Sequence, residues 1–295
     1  MGERKPKGSK SGRVGRKAED AFYVYCVGER EALAPLFEGE LPSAIENETR
    51  LEMEAGDDLA AVVSAVPLAD YGEEALQARL SDPTWTAVRA MRHEKVVEHF
   101  ARRASVVPLR FGTIYLERLG VKGMLSERGP QLRAIIERLR GREEWGVNIL
   151  CDRKMLVERI DSLSPRLREL GAQAASARPG QSYLMRKKIE AMRLDEARAE
   201  MKRVAARIEQ ELAPLGDGRV RLRVLKDEGG AQGDLVAKLA FLVPRTRFDE
   251  FRAAAEKLAQ EHAPAGFQLE LTGPWPAYNF IADVPIADCG LRIAD

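Results

Sequence analysis

The sequence predicts a mixed α+β protein of two domains, the second of which has a modified ferredoxin-like fold. Its 295 residues are enough for two domains of ordinary size. Short apolar or alternating runs, which are typical of strands, separate longer stretches in which apolar residues recur at helical spacing. In residues 142–283 these segments follow one another in the order β-α-β-β-α-β, which is the ferredoxin-like order.

The first segments of the chain predict strands followed by a capped helix. Residues 22–28 form an apolar, aromatic run, and residues 49–67 are interpreted as two strands around a Gly-Asp-Asp turn. A short helix is predicted over residues 72–80. Asp82 can then cap a longer helix, because Pro83 is favoured in the first turn of a helix.

The run VVPLRFGTIY, residues 106–115, is interpreted as one strand in which Pro108 favours an edge or a bulge. Side chains alternate along a strand, so Arg110 points away from the face shared by Leu109 and Phe111. Two roles for Arg110 are open. It either pairs with an acid across the sheet or contacts a partner protein.

The domain boundary is placed near Gly141, after helical periodicity over residues 116–140. Residues 20–141 form the predicted amino-terminal α+β domain, and residues 142–283 form the carboxyl-terminal ferredoxin-like domain. A Gly-rich hairpin turn is predicted in the second domain at residues 227–234. The strands of this domain are predicted at 145–152, 219–225, 236–243 and 267–273, and its last helix at 247–263.

The first crossover of the second domain runs for about 60 residues, where one helix of a dozen residues would be enough. Apolar stripes of helical spacing occur on both sides of the Gly- and Pro-containing segment 171–181. The crossover is therefore predicted to be a helical hairpin whose second arm, residues 183–213, spans roughly 45 Å. Its stripes either pack against each other and the sheet or bind a partner.

The two chain ends are predicted to be tails, 1–19 disordered and basic and 284–295 carboxyl-terminal. Residues 1–17 hold seven basic side chains against one acid and are interrupted by Gly, Ser and Pro. This arm is either solvated or a contact for nucleic acid or an acidic surface. No apolar segment follows its charges, so we expect no secretory signal.

Composition indicates a globular protein without a membrane span. Hydrophobic residues make up 45% and charged residues 32%, and no apolar run approaches the roughly 20 residues that a bilayer requires. Cys26, Cys151 and Cys289 stand far apart without a CxxC pair, which favours neither zinc nor a disulfide framework. We interpret Cys26 and Cys151 as small buried hydrophobes and expect a cytosolic location.

No constellation predicts catalysis, a cofactor or a metal. His93 lies on an apolar stripe, His99 is six residues further along, and His262 ends a helix. The metalloprotease, hydrolase, phosphate-loop and dinucleotide motifs are absent from the sequence. RNA binding on a ferredoxin-like sheet needs exposed aromatics, but the candidate strands offer only Phe241. We therefore expect a protein that is neither an enzyme nor a nucleic-acid binder.

The segment LTGPWPAYNF, residues 271–280, predicts a stiff aromatic arm after the last strand. Pro274 and Pro276 fix their own φ and favour extended neighbours. The aromatic residues of the arm are Trp275, Tyr278 and Phe280. They either close the core of their own domain or bind a partner protein.

Five segments in order resemble the gas vesicle protein F/L family: YVYCVG, the helix carrying His93, VVPLRFGTIY, PGQSYLMRKK and LTGPWPAYNF. The resemblance covers about residues 21–283, and Ala277 stands where a second proline is common in the family. The resemblance implies a two-domain protein that is a minor gas vesicle component, located in the gas vesicle and the cytoplasm. It also implies an assembly factor without catalysis or cofactor, which binds the main shell protein and supports nucleation.

Such a role is physically reasonable, because a shell subunit that lines a gas space is apolar and aggregates until it is assembled. Other gas vesicle accessory proteins are further expected partners, whereas nucleic acid and membrane are not. Trp275, Tyr278, Phe280 and Arg110 are the candidate partner-binding residues. The alternative is a ferredoxin-like domain that binds a small molecule or acts as an oxidoreductase.

Overall fold

The structure, a computed structural model, describes residues 20–224 and 233–281. The predicted tails 1–19 and 284–295 lie outside these ranges, as do Cys289 and most of the predicted turn at 227–234. Within the described ranges, no helix combines the length and the apolar character needed to cross a bilayer.

The first half of the chain forms one antiparallel sheet with helices around it. Its elements in chain order are β1 (Asp20–Glu29), α1 (Arg30–Leu33), β2 (Leu51–Ala55), β3 (Leu59–Pro67), α2 (Leu68–Tyr71), α3 (Glu73–Leu80), α4 (Pro83–Ala101), β4 (Val106–Pro108) and β5 (Ile114–Tyr115). The strand order is β2-β3-β1-β4, and β5 also pairs with β1. Helix α4 begins at the predicted cap, where the Asp82 carboxylate accepts hydrogen bonds from the backbone N–H groups of Thr84 and Trp85.

The prediction of one strand over residues 106–115 is wrong, because a turn divides it into β4 and β5. Gly112 lies in this turn with φ of 86°, a conformation that favours glycine. Both short strands remain beside β1, and the Leu109 N–H donates to the Tyr25 carbonyl at 2.8 Å. The segment is thus one interrupted edge of the sheet.

Two helices that pack on the first sheet lead into the second half of the chain, and the second of them also contacts the first strand of the second sheet. The elements of this part of the chain are α5 (Arg118–Glu127), α6 (Gly129–Leu139), β6 (Arg142–Cys151), α7 (Arg153–Leu163), α8 (Pro165–Ser176), α9 (Pro179–Leu212), β7 (Gly218–Leu222), β8 (Asp234–Pro244), α10 (Phe248–His262) and β9 (Phe267–Trp275). Strands β6 to β9 form an antiparallel sheet in the order β7-β8-β6-β9. The predicted mixture of helices with antiparallel sheets is confirmed.

The two sheets share one strand order. Numbered within its own half, each sheet runs second, third, first, fourth, and the crossovers differ greatly in length. Nothing in the residue pattern indicated this repetition.

The predicted helical hairpin is present, but its first arm consists of two helices. Ser164 ends α7 and caps α8, its hydroxyl accepting from the Leu167 N–H, and Pro165 opens the new helix. The Ser164 hydroxyl also donates to the Glu196 carboxylate at 2.8 Å. Arg193 of α9 forms a two-point ion pair with Asp161 of α7. These contacts fix the antiparallel arms to each other.

Three hydrophobic clusters stabilise the described chain. One lies within each half, and Cys26 and Cys151 are buried in them as predicted. The third, called the shared core here, joins the halves. Its buried members are Val24, Val27, Leu59, Ala61, Val63, Val107 and Leu109 of the first half, Val121, Met124, Leu125, Leu132, Ile135, Ile136 and Leu139 of α5 and α6, Ala240 and Leu242 of β8, and Phe280 and Ile281. The two sheets therefore meet through continuous apolar packing.

Candidate functional site

The predicted aromatic arm, residues 271–280, begins in the last part of β9 and continues to the junction between the two halves. Gly273 has φ of 127°, and a Cβ at this position would lie 3.0 Å from the Glu144 carbonyl oxygen. Only glycine fits this position without strain. Gly273 lies where the pairing of β9 with β6 is irregular; Trp275 still pairs with Glu144, and beyond it the chain crosses toward helix α4 of the first half.

Tyr278 joins the arm to the first half through a chain of hydrogen bonds. Its hydroxyl lies 3.0 Å from His93 Nε2 and donates to the Glu94 carboxylate at 3.3 Å. On the other side of the imidazole, Nδ1 lies 2.9 Å from the Tyr23 hydroxyl, which accepts from the Gly112 N–H at 3.0 Å. The chain thus runs from the turn between β4 and β5, through strand β1 and helix α4, to the arm.

One set of proton positions satisfies this whole chain. Because the Gly112 N–H donates to Tyr23, the Tyr23 hydroxyl proton is left to donate to Nδ1 of His93. Nε2–H then donates to Tyr278, whose own proton goes to Glu94. This arrangement requires a neutral imidazole, and burial lowers the pKa of His93 to about 4. His93 is thus a structural histidine.

Glu144 holds the arm from the second half. The Asn279 backbone N–H donates to its carboxylate at 3.1 Å, and the Asn279 side-chain amide donates at 2.5 Å. Burial raises the pKa of Glu144 to about 7, since only 4% of the residue is exposed and these two bonds compensate in part. Burial also raises the pKa of Glu94 on the opposite side of Tyr278. Two buried or half-buried acids therefore flank the arm.

The predicted partner-binding residues occupy different environments. Phe280 is buried in the shared core, and Tyr278 is committed to the hydrogen-bond chain. Trp275 is 50% exposed, and its indole N–H donates to the Thr272 hydroxyl at 3.2 Å. Arg110 is exposed before the turn between β4 and β5, and no acid of the described chain lies within ion-pair distance of it. Of the candidates, Trp275 and Arg110 are therefore accessible.

A cleft of about 400 Å³ lies between the arm and the second sheet. Trp275 and Tyr278 line it on the side of the arm, and Asn148 and Lys238 line it on the side of the sheet. Glu94 and Glu144 also line it. In residues 20–224 and 233–281, no group of three or more His, Cys, Asp or Glu side chains is placed to hold a metal ion.

The sequence did not predict that Tyr23, Glu94, Glu144 and Asn279 contribute to this site. Asn279 was visible inside the arm motif, and His93 was visible on its helix. Their partners lie 135 and 185 residues away in the chain, so no local pattern could connect them.

The fold is similar to that of solved gas vesicle proteins. The crystal structure of the gas vesicle protein GvpF from Anabaena sp. PCC7120 superposes with a TM-score of 0.59 at 18% identity, over 89% of this chain and 96% of that one. The GvpF structure from Microcystis aeruginosa also gives 0.59, at 17% identity, over 88% of this chain and 98% of that one.

Sequence relatives point to the same class. The gas vesicle protein L of Streptomyces sp. (strain CB03234) is 31% identical over 76% of this chain and 80% of its own length. The gas vesicle protein L2 of Halobacterium salinarum is 26% identical over 90% of this chain and 92% of its own. Fold and relatives together define a gas vesicle protein.

The family model described as gas vesicle synthesis protein GvpL/GvpF matches residues 21–282. The chain belongs to this family, and the resemblance read from its five segments is confirmed. A role associated with gas vesicles follows from that membership.

Proposed function

We propose that this protein is a gas vesicle accessory protein that binds the main shell protein, limits its aggregation and supports vesicle nucleation and assembly. Other gas vesicle accessory proteins are further partners in this proposal, and the sites of action are the cytoplasm and the gas vesicle. Membership of the family supports the association with gas vesicles. The observation that carries the binding role is Trp275, an exposed aromatic ring on an anchored arm.

Trp275 has the properties of a binding anchor. Half of the residue is solvent-exposed, although the residues that follow are fixed by Glu144, by His93 and by the shared core. Tryptophan is enriched among the residues that dominate binding energy. A rigid support reduces the conformational entropy that is lost on association. Trp275 also borders the cleft, which offers apolar surface next to the ring.

Coexpression with the main shell protein of the same organism tests this proposal. We expect the shell protein to copurify with the wild-type chain. Trp275→Ala should weaken the complex by about 2 kcal/mol or more, which is roughly thirtyfold in Kd. Leu119→Ala is the matched control, because Leu119 is 72% exposed on helix α5 and its truncation should not change capture. Absence of any copurification would contradict the binding role, and equal losses in both variants would contradict the assignment to Trp275.

We also propose that residues 20–141 and 142–283 are the two domains and that the second is a modified ferredoxin-like domain. The element order β6, helical hairpin, β7, β8, α10, β9 supports this assignment. The long hairpin is the modification. Limited proteolysis near Gly141 tests the boundary, because a domain linker is cleaved before the domains themselves.

A second candidate function is small-molecule binding in the cleft, since its polar groups converge on a partly apolar space of about 400 Å³. Mass spectrometry of the compounds released from the purified, denatured protein tests it. A ligand that is present with the wild type and absent with Glu144→Gln would support this function. Visible absorption by the purified protein would favour the oxidoreductase form of this alternative.

A further inference from the structure

We propose that the outer face of the helical hairpin is a second binding surface, and that it binds an acidic amphipathic helix of a partner protein. This hairpin face is defined by Tyr183, Leu184, Ala191 and Leu194 of α9 together with the flanking basic residues Arg186 and Lys188 of the same helix. The inference is independent of the surface around Trp275.

Helix α9 carries apolar residues on two opposite sides in its first half. Ile189 and Ala197 are buried against the rest of the second domain. Leu184 is 68% exposed and Leu194 is 56% exposed. Ala191 follows Leu184 by seven residues and precedes Leu194 by three, so all three lie on the same side of the helix. These residues span about 15 Å along the helix at 1.5 Å per residue. This second stripe has no partner among the described residues.

Basic side chains are concentrated in the part of the hairpin that carries the stripe. Residues 165–194 contain seven basic and two acidic side chains, whereas the whole chain has a net charge of +1. Lys187 pairs with Glu190, and Arg193 pairs with Asp161. The exposed residues Arg168, Arg178, Arg186 and Lys188 make no ion pair with any residue in the described ranges. The hairpin face is therefore an apolar stripe flanked by the unpaired cations Arg186 and Lys188, in a segment with an excess of positive charge.

This combination fits an acidic amphipathic helix better than other occupants. Exposed apolar residues that recur along one side of a helix can pack against the apolar side of a second helix, as in a coiled coil. Binding of nucleic acid rests on phosphate contacts and does not require exposed leucines. Glu190 and Asp195, which lie beside the stripe, already pair with Lys187 and Arg198, so Arg186 and Lys188 are left to attract an acidic partner. A second copy of the hairpin carries the same positive charge.

A designed peptide tests the inference with the full-length protein. The probe is a fluorescent amphipathic helix with leucines at its a and d heptad positions and glutamates on both sides of them. A second peptide of equal length has lysines in place of the glutamates. We expect the acidic peptide to bind at least about tenfold more tightly than the basic one. Its binding should weaken as salt is added.

Two double variants change the hairpin face without touching buried residues. Leu184→Ser with Leu194→Ser removes the apolar stripe, and Arg186→Glu with Lys188→Glu reverses the local charge. Each should weaken binding of the acidic peptide by about tenfold or more. Val88→Ser with Met91→Ser is the matched control, because both residues are exposed on α4 and binding should not change. Thermal unfolding of every variant checks that the fold is retained.

Several outcomes would overturn the inference. These are no binding of the acidic peptide, equal binding of the two peptides, or unchanged affinity in both hairpin variants. Binding of phosphatidylglycerol-containing vesicles without binding of the peptide would assign the face to membranes instead. A dimer that the Leu184 and Leu194 variant abolishes would assign it to self-association. None of these results concerns capture of the shell protein through Trp275, so the two proposals fail separately.

Discussion

Trp275, Tyr278 and Phe280 lie close together in one motif, yet each has a different environment. Phe280 is buried in the shared core, Tyr278 bonds to His93 and Glu94, and Trp275 is half exposed. The two roles that the sequence left open for the arm are thus divided among its residues. Two aromatic residues fix the arm to the protein, and one remains accessible to a partner.

We expect Phe280→Ala and Trp275→Ala to have very different effects on stability. Removing the buried Phe280 ring leaves a cavity in the shared core and should lower the free energy of unfolding by about 3–5 kcal/mol. Removing the exposed Trp275 ring should change it by less than about 1 kcal/mol. Denaturant unfolding of both variants measures this difference. Comparable losses would show that Trp275 supports the fold and is not a free anchor.

Glu144 should make stability depend on pH. Burial raises the pKa of this acid in the folded protein from 4.5 to about 7, so the fold favours its protonated form. Its stabilising contribution is complete below the unfolded pKa and is lost as the pH rises through about 7. Glu144→Gln removes this ionisation. From pH 4 to pH 8, the free energy of unfolding of the variant relative to the wild type should therefore rise by as much as about 3 kcal/mol.

Chemical denaturation at several pH values measures that difference. Glu94, whose pKa is also raised by burial, is present in both proteins, but its charge helps to raise the pKa of Glu144, so the difference reports the titration of the two coupled acids. The lost hydrogen bond to Asn279 lowers the stability of the variant at every pH and does not produce a slope. Parallel pH profiles for the two proteins would show that Glu144 is not strongly perturbed.

Secondary-structure elements whose ends are set by neighbouring residues were predicted correctly, whereas a break that depends on distant residues was not. Helix α4 begins at Asp82 because a carboxylate cap and Pro83 both act within one turn. The interruption at Gly112 could not be anticipated in the same way. The N–H of Gly112 donates to Tyr23, 89 residues away, and this contact exists only when the sheet has formed.

The tip of the hairpin should be dispensable for folding. Replacing residues 171–185 by a short Gly-rich link removes one buried side chain, Ala174, and keeps the ion pair between Arg193 and Asp161. The free energy of unfolding should fall by less than about 2 kcal/mol, because little apolar area is lost from the core. Binding of the acidic peptide should decrease by about tenfold or more, since the deletion removes Arg178, Tyr183 and Leu184.

Cooperative unfolding followed by circular dichroism, together with peptide anisotropy, measures both effects. Loss of the cooperative transition would show that the hairpin is part of the core of the second half. Retained binding by the shortened protein would rule out the tip as a docking surface. The variant with Val88→Ser and Met91→Ser again serves as the control for peptide binding.

The whole molecule is organised around the shared core. Val24 and Leu59 of the first sheet and Ala240 and Leu242 of the second belong to one buried cluster, which also includes residues of α5 and α6. The hydrogen bonds of the arm join the halves a second time. Neither half can bury this apolar surface alone.

We therefore expect the two halves to unfold together. Full-length protein should show one thermal transition by calorimetry, with agreement between calorimetric and van't Hoff enthalpies. A fragment of residues 20–141 should be less stable and should bind a hydrophobic dye, because the shared core is exposed in it. Two separate transitions, or a fragment as stable as the intact protein, would mean that the shared core contributes little to cooperativity.

The sequence by itself determined the α+β class, most of the strands and helices, the cap at Asp82 and the family. These depend on periodicity, capping and motif residues that act within a few positions of each other. Only the tertiary structure decided that Phe280 is buried, that Trp275 is exposed, and that His93 and Glu144 hold the arm from opposite halves. Those contacts join residues 135 to 185 positions apart. They form only when the two sheets meet through one apolar core, and no local sequence pattern indicates that meeting.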